Sequence, residues 1–252
     1  MLSFILTAAL LLLCPLLLQL GFHWQDTPPP SVWLYRLTES ASAPQALLTL
    51  ALLTLVLWLW TPPAQRRRLL LLVLLSFGST QLLKNGLKWV LAEPRPFVVA
   101  MYQNDAAAIK AFYAQSRSQR QELVRRHYEN HPLPDFLIKH RSREVGYSFP
   151  SGHSIFAAAE ALLFVMVIGY GTVGRALASG TVLLWALALM YSRVALGMHY
   201  PRDLALSVLL ATVIHLGLRR HWLRSDSPSA ETVGRPLEMW RNHGAADHDG
   251  QI

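Results

Sequence analysis

Residues 191–203 read YSRVALGMHYPRD, a polar and charged stretch set between two apolar runs, 176–195 and 203–218. Pro201 suits the first turn of the helix that follows, where its missing N–H costs nothing. His199 then stands just outside that helix and Asp203 within its first turn. The carboxylate is close enough to accept a hydrogen bond from one imidazole nitrogen. An imidazole held that way presents its other nitrogen in one defined tautomer, as an oriented base or nucleophile. Arg193 adds a planar fork of donors suited to a phosphate. For an isolated pair, the plain alternative is an arginine and a histidine reaching for a membrane interface. The rest of the chain decides between the two.

Composition points to a membrane. Of 252 residues, 52% are hydrophobic and 15% charged, and mean hydropathy is +0.28. Soluble domains carry about 25% charged residues. The formal charge of +8 could mean nucleic acid, but the basic residues cluster beside apolar runs, which fits anionic lipid headgroups better. A lone cysteine, Cys14, rules out an intrachain disulfide, and no Cys/His cluster indicates zinc.

Six apolar segments are expected to span: residues 2–22, 45–60, 69–91, 153–170, 176–195 and 203–218. No Lys or Arg precedes the first and no A-x-A-like site follows it, so it reads as an uncleaved helix rather than a signal peptide. Residues 23–44 read as an interfacial loop with Trp24, Trp33 and Tyr35. Residues 92–152 form a long polar insertion with surface helices expected around 106–112 and 119–127. Residues 225–252 read as a polar, disordered tail. No internal repeat is present. The chain thus reads as an all-α membrane domain, 1–224, with a helical extramembrane segment between spans three and four. Six spans put both termini on one side, together with the short-loop arginines 66–68, 175 and 219–220, and arginine in short loops marks the cytoplasm. The end of span three, the start of span four and the turn between spans five and six then share the outer face.

Those three places hold every unusual residue. In the first, Lys88-WVLAEP-Arg95-Pro96, prolines on both sides of Arg95 end the helix, so that Lys88 and Arg95 can converge on one anion. In the second, Pro150-Ser151-Gly152-His153, Ser151 is a good N-cap and Gly152 allows close backbone approach. A helix N-terminus with free N–H groups favours a phosphate, and His153 there can give a proton to a leaving oxygen. The third is the opening stretch.

Read in order as K-x6-RP, PSGH and SR-x5-H-x3-D, with EPRPFV, FPSGH and LGMHYPRDL around them, the chain resembles the type-2 phosphatidic acid phosphatase superfamily over nearly its whole length apart from the tail. The resemblance implies six spans, and His199 as a nucleophile that forms a phosphohistidine, oriented by Asp203. It implies that His153 protonates the leaving group and then activates water. Lys88, Arg95 and Arg193, with Ser151 and the Gly152 N–H, would hold the phosphoryl oxygens, with no metal and no cofactor. Implied substrates are phosphatidylglycerophosphate, phosphatidic acid and undecaprenyl pyrophosphate in a bacterial inner membrane, cleaved at its periplasmic face. No nucleic acid and no obligate protein partner is expected. A lipid phosphotransferase using the same residues, and a non-catalytic lipid-binding or transport protein, are the alternatives. Two coupled histidines imply a bell-shaped pH–rate profile. Glu160, on the same helix face as His153 and about 10 Å further into the membrane, is expected to pair with Lys84, so that Glu160→Gln would lower stability and leave the chemistry largely intact; Glu144 is expected to be a solvated loop charge.

Overall fold

The structure, a computed structural model, describes residues 1–22, 30–129 and 133–224. Trp24 and the 225–252 tail therefore lie outside the described residues. Eleven α-helices follow in chain order: α1 (Leu2–Leu20), α2 (Val32–Glu39), α3 (Gln45–Trp60), α4 (Arg66–Leu91), α5 (Pro96–Met101), α6 (Ala106–Ala114), α7 (Arg117–Glu129), α8 (Asp135–Arg143), α9 (Gly152–Val167), α10 (Val173–Ala195) and α11 (Pro201–Arg224). There is no strand among the described residues.

The bundle is organised around α9. Apart from its polar first turn and Glu160, its residues are apolar on every side, and an element of that kind is stable only when surrounded. Residues 154–165 are all buried, packed by α10, α11, α4 and α1. Small residues on several faces, including Ala157, Ala158 and Ala161, let neighbouring backbones approach closely. The outer helices are the reverse. Leu6, Leu17, Leu52, Leu74, Leu184 and Val213 are all exposed, an apolar area far beyond what a water-soluble surface carries and suited to hydrocarbon.

Four segments are long and apolar enough to cross a membrane: Leu2–Leu20, Pro63–Lys88, Val173–Ala195 and Pro201–Arg220. The other two expected spans, α3 and α9, have 16 residues each, about 24 Å of helix against a hydrocarbon core of about 30 Å.

The two ends of the bundle differ in character. At one, Arg66 stacks on Trp58 at 5.0 Å and Arg68 on Trp222 at 4.3 Å. The start of α1 is tied there through Thr7 and Tyr170, whose hydroxyls lie 2.9 Å apart. At the other end, Phe22 meets Tyr200 edge to face, and the 92–152 insertion forms a cap with its own core of Phe97, Phe112, Val124 and Leu137, joined by Leu196 and Met198 from the α10–α11 turn.

Three expectations need correction. Residues 23–44 are not all loop: Ser31 accepts a hydrogen bond from Trp33 N and starts α2, which packs on α10 and α8. The insertion contains α5 and α8 besides the two helices expected. Lys84 does not pair with Glu160. Its ammonium donates to Gln81 and its stem lies against Gly152, while Glu160 is buried with Oε2 unpartnered among the described residues.

Candidate active site

The α10–α11 turn aims His199 inward. Gly197, at φ +72°, takes the left-handed conformation that costs other residues about 1–2 kcal/mol. It closes α10 with paired bonds, Gly197 N to Val194 O and Met198 N to Arg193 O, both 3.0 Å. Pro201 opens α11 immediately afterwards. His199 is thereby fixed between two helix ends, 1% exposed.

Its Nδ1 lies 3.5 Å from Asp203 Oδ2, beyond ordinary N–H···O length. Ser148 bridges the two: its hydroxyl donates to Asp203 and its oxygen lies 3.3 Å from Nδ1. Tyr200 N donates to the same carboxylate oxygen at 3.0 Å. A Ser148 hydroxyl committed to Asp203 can only accept from Nδ1–H, which leaves the lone pair on Nε2. That nitrogen faces an Arg95 N–H at 3.4 Å. Burial first, then the charges of Arg95, Arg193 and Lys88, hold the imidazole well below its ordinary range, so it is neutral at neutral pH.

Arg95 follows the end of α4 and caps α5, with Pro96 at the first helical position. Its Nε donates to Gly146 O at 2.9 Å and its Nη1 to Met198 O at 3.0 Å. These bonds pin the guanidinium beside His199 Nε2 in the cavity wall. Ser151 caps α9: its oxygen accepts from Ser154 N at 3.3 Å and from Ser154 Oγ at 2.9 Å, and Ser151 N donates to Ser207 Oγ at 3.0 Å. A fully buried hydroxyl engaged in this way anchors the helix start. The first-turn donors left to meet a ligand are the N–H groups of Gly152 and His153. A Cβ on residue 152 would lie 2.8 Å from Lys84 Cδ, so glycine here also lets the lysine stem lie close.

Glu144 was expected in solvent and is instead the hub of the charges. Its Oε2 accepts from Arg193 at 2.7 Å and lies 3.2 Å from Arg95; its Oε1 lies 3.8 Å from Nε2 of both His153 and His140. Burial alone would raise its pKa, but Arg193, His153 and Arg95 outweigh that and hold the carboxyl well below the usual range. Arg193 is fully buried behind it, donating also to Thr38 Oγ1 at 2.7 Å. His153 Nε2 lies 2.9 Å from Ser42 Oγ.

These groups surround one cavity of about 700 Å³, lined by Lys88, Arg95, Gly152, His153 and His199 among others. Arg193, Ser151 and Asp203 are not in its wall and act from behind it. Residues that sequence reasoning missed are Ser148, Ser42, Thr38, Glu39 and His140; each is an ordinary polar residue with no signal of its own until the fold brings Ser148 to His199, Ser42 to His153, Thr38 and His140 to Arg193, and Glu39 to His140 and Arg143. Beside the cavity runs an apolar groove of about 460 Å³ lined by Leu50, Leu55, Trp58 and Val73, and Leu47 lines both.

Apolar helices with outer faces suited to hydrocarbon, enclosing a cavity lined by His153, His199 and six basic side chains, define a helical membrane protein with a positively charged pocket. The chain belongs to the PAP2 superfamily, whose profile matches residues 69–225 and takes in all three sequence clusters. Among relatives, phosphatidylglycerophosphatase B of Haemophilus influenzae is 38% identical over 188 residues, 73% of this chain and 78% of that protein. Phosphatidylglycerophosphatase B of Escherichia coli K12 is 34% identical over 216 residues, 81% of this chain and 82% of that protein.

Proposed function

We propose that this protein is a membrane lipid phosphatase, with residues 1–224 as one catalytic domain that hydrolyses lipid phosphomonoesters and pyrophosphates. The observation that carries the reading is His199: a neutral imidazole whose Nδ1–H is tied to Ser148 and Asp203, and whose Nε2 opens on a cavity walled by cations. The His199 Nε2 lone pair attacks phosphorus, forming an N–P bond as the bond to the leaving oxygen breaks. His153 gives that oxygen its proton. Water, deprotonated by His153, then breaks the N–P bond and releases phosphate. Lys88, Arg95 and the Gly152 and His153 N–H groups hold the phosphoryl oxygens as charge builds in the transition state, and cations fixed in advance are worth most there. Arg193 supports them through Glu144.

The apolar groove meeting the cavity at Leu47 suits a substrate with its headgroup in water and its tails in hydrocarbon. The names of the relatives favour phosphatidylglycerophosphate, with phosphatidic acid and undecaprenyl pyrophosphate as further candidates. The chain spans the membrane six times, both termini lie on the cytoplasmic side with Arg66–Arg68, and the cavity opens on the periplasmic side of a bacterial inner membrane.

The test is phosphate release from these lipids by the purified protein in EDTA, comparing wild type with His199→Ala. We expect release by wild type that survives the chelator and is lost in the variant. Unchanged release by His199→Ala would sink the mechanism. Transfer to an added lipid alcohol in preference to water would favour a phosphotransferase.

A further inference from the structure

The cavity wall carries more positive charge than one phosphate can match. Lys84, Lys88, Arg95, Arg117, Arg120 and Arg143 line it against two carboxylates, Glu39 and Glu144, an excess of four formal charges before the histidines are counted. A phosphate monoester brings about −1.5 to −2 at neutral pH. The excess is not evenly placed. Glu144 answers Arg95 and Arg193, and Glu39 answers Arg143 at 3.0 Å and His140 at 3.5 Å. Arg117 and Arg120, at the start of α7, have no carboxylate partner among the described residues.

Their position is electrostatically costly when empty. Ser116 and Gln119 cap α7 reciprocally, Ser116 N to Gln119 Oε1 at 2.9 Å and Gln119 N to Ser116 Oγ at 3.3 Å. Arg117 and Arg120 therefore sit on the positive end of the helix, where a cation is disfavoured. An anion held there would offset both. The two side chains are one turn apart on one face and both reach the cavity. Arg120 is also built into the site. Its guanidinium stacks over Tyr113 at 5.7 Å, Tyr113 stacks on Tyr147 at 4.5 Å, and the Tyr113 hydroxyl accepts from Arg95 N at 3.0 Å. Its Nε is buried without a partner among the described residues. Arg117 is exposed and, among the described residues, donates only to Arg143 O, at 3.3 Å, which leaves its other donors uncommitted there.

We propose that Arg117 and Arg120 form a second anion subsite at the cavity mouth, which holds the phosphate that is not transferred on lipids that carry two. The proposal rests on the lipid-phosphatase reading. The class it names is a lipid bearing a diphosphate, or a phosphomonoester together with a phosphodiester. The first phosphate goes to His199, and the second, a few bonds away, to the arginines. A lipid with a single phosphomonoester fills only the inner position.

Steady-state kinetics in neutral detergent micelles would test this with three lipids: a prenyl diphosphate, phosphatidylglycerophosphate and phosphatidic acid. The proteins are wild type, Arg117→Gln/Arg120→Gln and Arg117→Lys/Arg120→Lys. With charge-assisted hydrogen bonds removed, KM for the two-phosphate lipids should rise roughly tenfold or more in the Gln variant. Its kcat and its kinetics on phosphatidic acid should stay within about twofold, and the Lys variant should recover most of the loss. A loss on only one two-phosphate lipid supports the subsite and fixes its reach. Equal loss on all three lipids overturns it, as does no loss on any. Loss on all three confined to micelles doped with anionic lipid would mark the arginines as surface anchors, and also overturns it. If wild type cleaves none of the lipids, the phosphatase reading fails, and calorimetric titration with inorganic pyrophosphate still decides the subsite: tighter binding to wild type than to the Gln variant supports it, and equal binding overturns it.

Discussion

At the scale of single residues, the geometry around His199 turns on Ser148. The expected direct bond from imidazole to Asp203 is replaced by a relay, with Ser148 Oγ between Nδ1 and the carboxylate. Asp203 Oδ1 has no partner among the described residues, so the carboxylate can still take the Nδ1–H directly if the serine is removed. Ser148→Ala should therefore cost about tenfold in kcat, the worth of one buried hydrogen bond, while Asp203→Asn, which can stabilise the wrong tautomer, should cost on the order of 10³-fold or more. Equal losses in phosphate-release assays would place Ser148 and Asp203 in one inseparable unit. The pH dependence follows from the same site. Burial and then Arg95 hold the His199 pKa well below its ordinary value, about 6.5 in the unfolded chain. The free-enzyme acid limb in kcat/KM should fall below pH 6.5 and move upward in Arg95→Gln. The stability sign is opposite in character: below about pH 6.5 the unfolded chain takes a proton that folded His199 refuses, so this group destabilises the fold as pH falls. A limb that stays put in Arg95→Gln would assign it to another group.

At the scale of elements, the decisive piece is the 144–151 segment between α8 and α9, which delivers Glu144, Ser148 and Ser151 to three neighbouring elements. Glu144 joins α8 to α10 and to the exit of α4 through Arg193 and Arg95. Removing one partner of a buried pair typically costs about 3–5 kcal/mol because the other charge stays behind unpaired. Glu144→Gln should thus lower the thermal midpoint in detergent by several degrees and raise KM, since Arg95 and Arg193 lose the group that sets their positions; an unchanged midpoint would show that the two arginines are solvated without it. How much of this was legible in the chain follows from the same physics. Apolar runs announced every long helix, and the proline-bracketed Arg95 and the PSGH cap announced their turns, because those signals are local. The α2 helix was hidden because eight residues of mixed polarity between prolines and serines have no strong period. Glu144 was hidden because a carboxylate in a polar loop looks the same whether it meets water or an arginine 49 positions away. The expected Glu160–Lys84 pair does not form because which group meets which depends on packing between helices, which spacing along one helix does not reveal.

At the scale of the whole molecule, a polar interior feature with no partner is the exception that tests the architecture. Glu160 lies in the fully buried core of α9 with Oε2 unpartnered among the described residues. Since Lys84 is not its counter-ion, the expectation for replacing it reverses: an apolar side chain of similar volume removes a desolvation cost without stranding a charge. Glu160→Met should raise stability by about 1–3 kcal/mol and leave turnover unchanged, as read by thermal midpoint and phosphate release. A fall in turnover with the fold intact would assign Glu160 a part in the reaction. The two-ended bundle makes a further demand. The arginines stacked on Trp58 and Trp222 mark one end, and the histidine cavity with its cap marks the other. If α3 and α9 cross as well as the four longer segments, these ends face opposite compartments, although 16 residues span less than the full hydrocarbon core. The bilayer would then have to thin slightly around α3, while α9, enclosed by its neighbours, meets no lipid mismatch. A chain with Cys14 replaced by alanine has no other cysteine, so single cysteines can report each end. In spheroplasts, a membrane-impermeant thiol reagent should label Gln115→Cys, in the cap, and leave Ala64→Cys unlabelled until the membrane is opened with detergent. Labelling of both without detergent would put the two ends on one side, and the proposed six-span arrangement would fail with it.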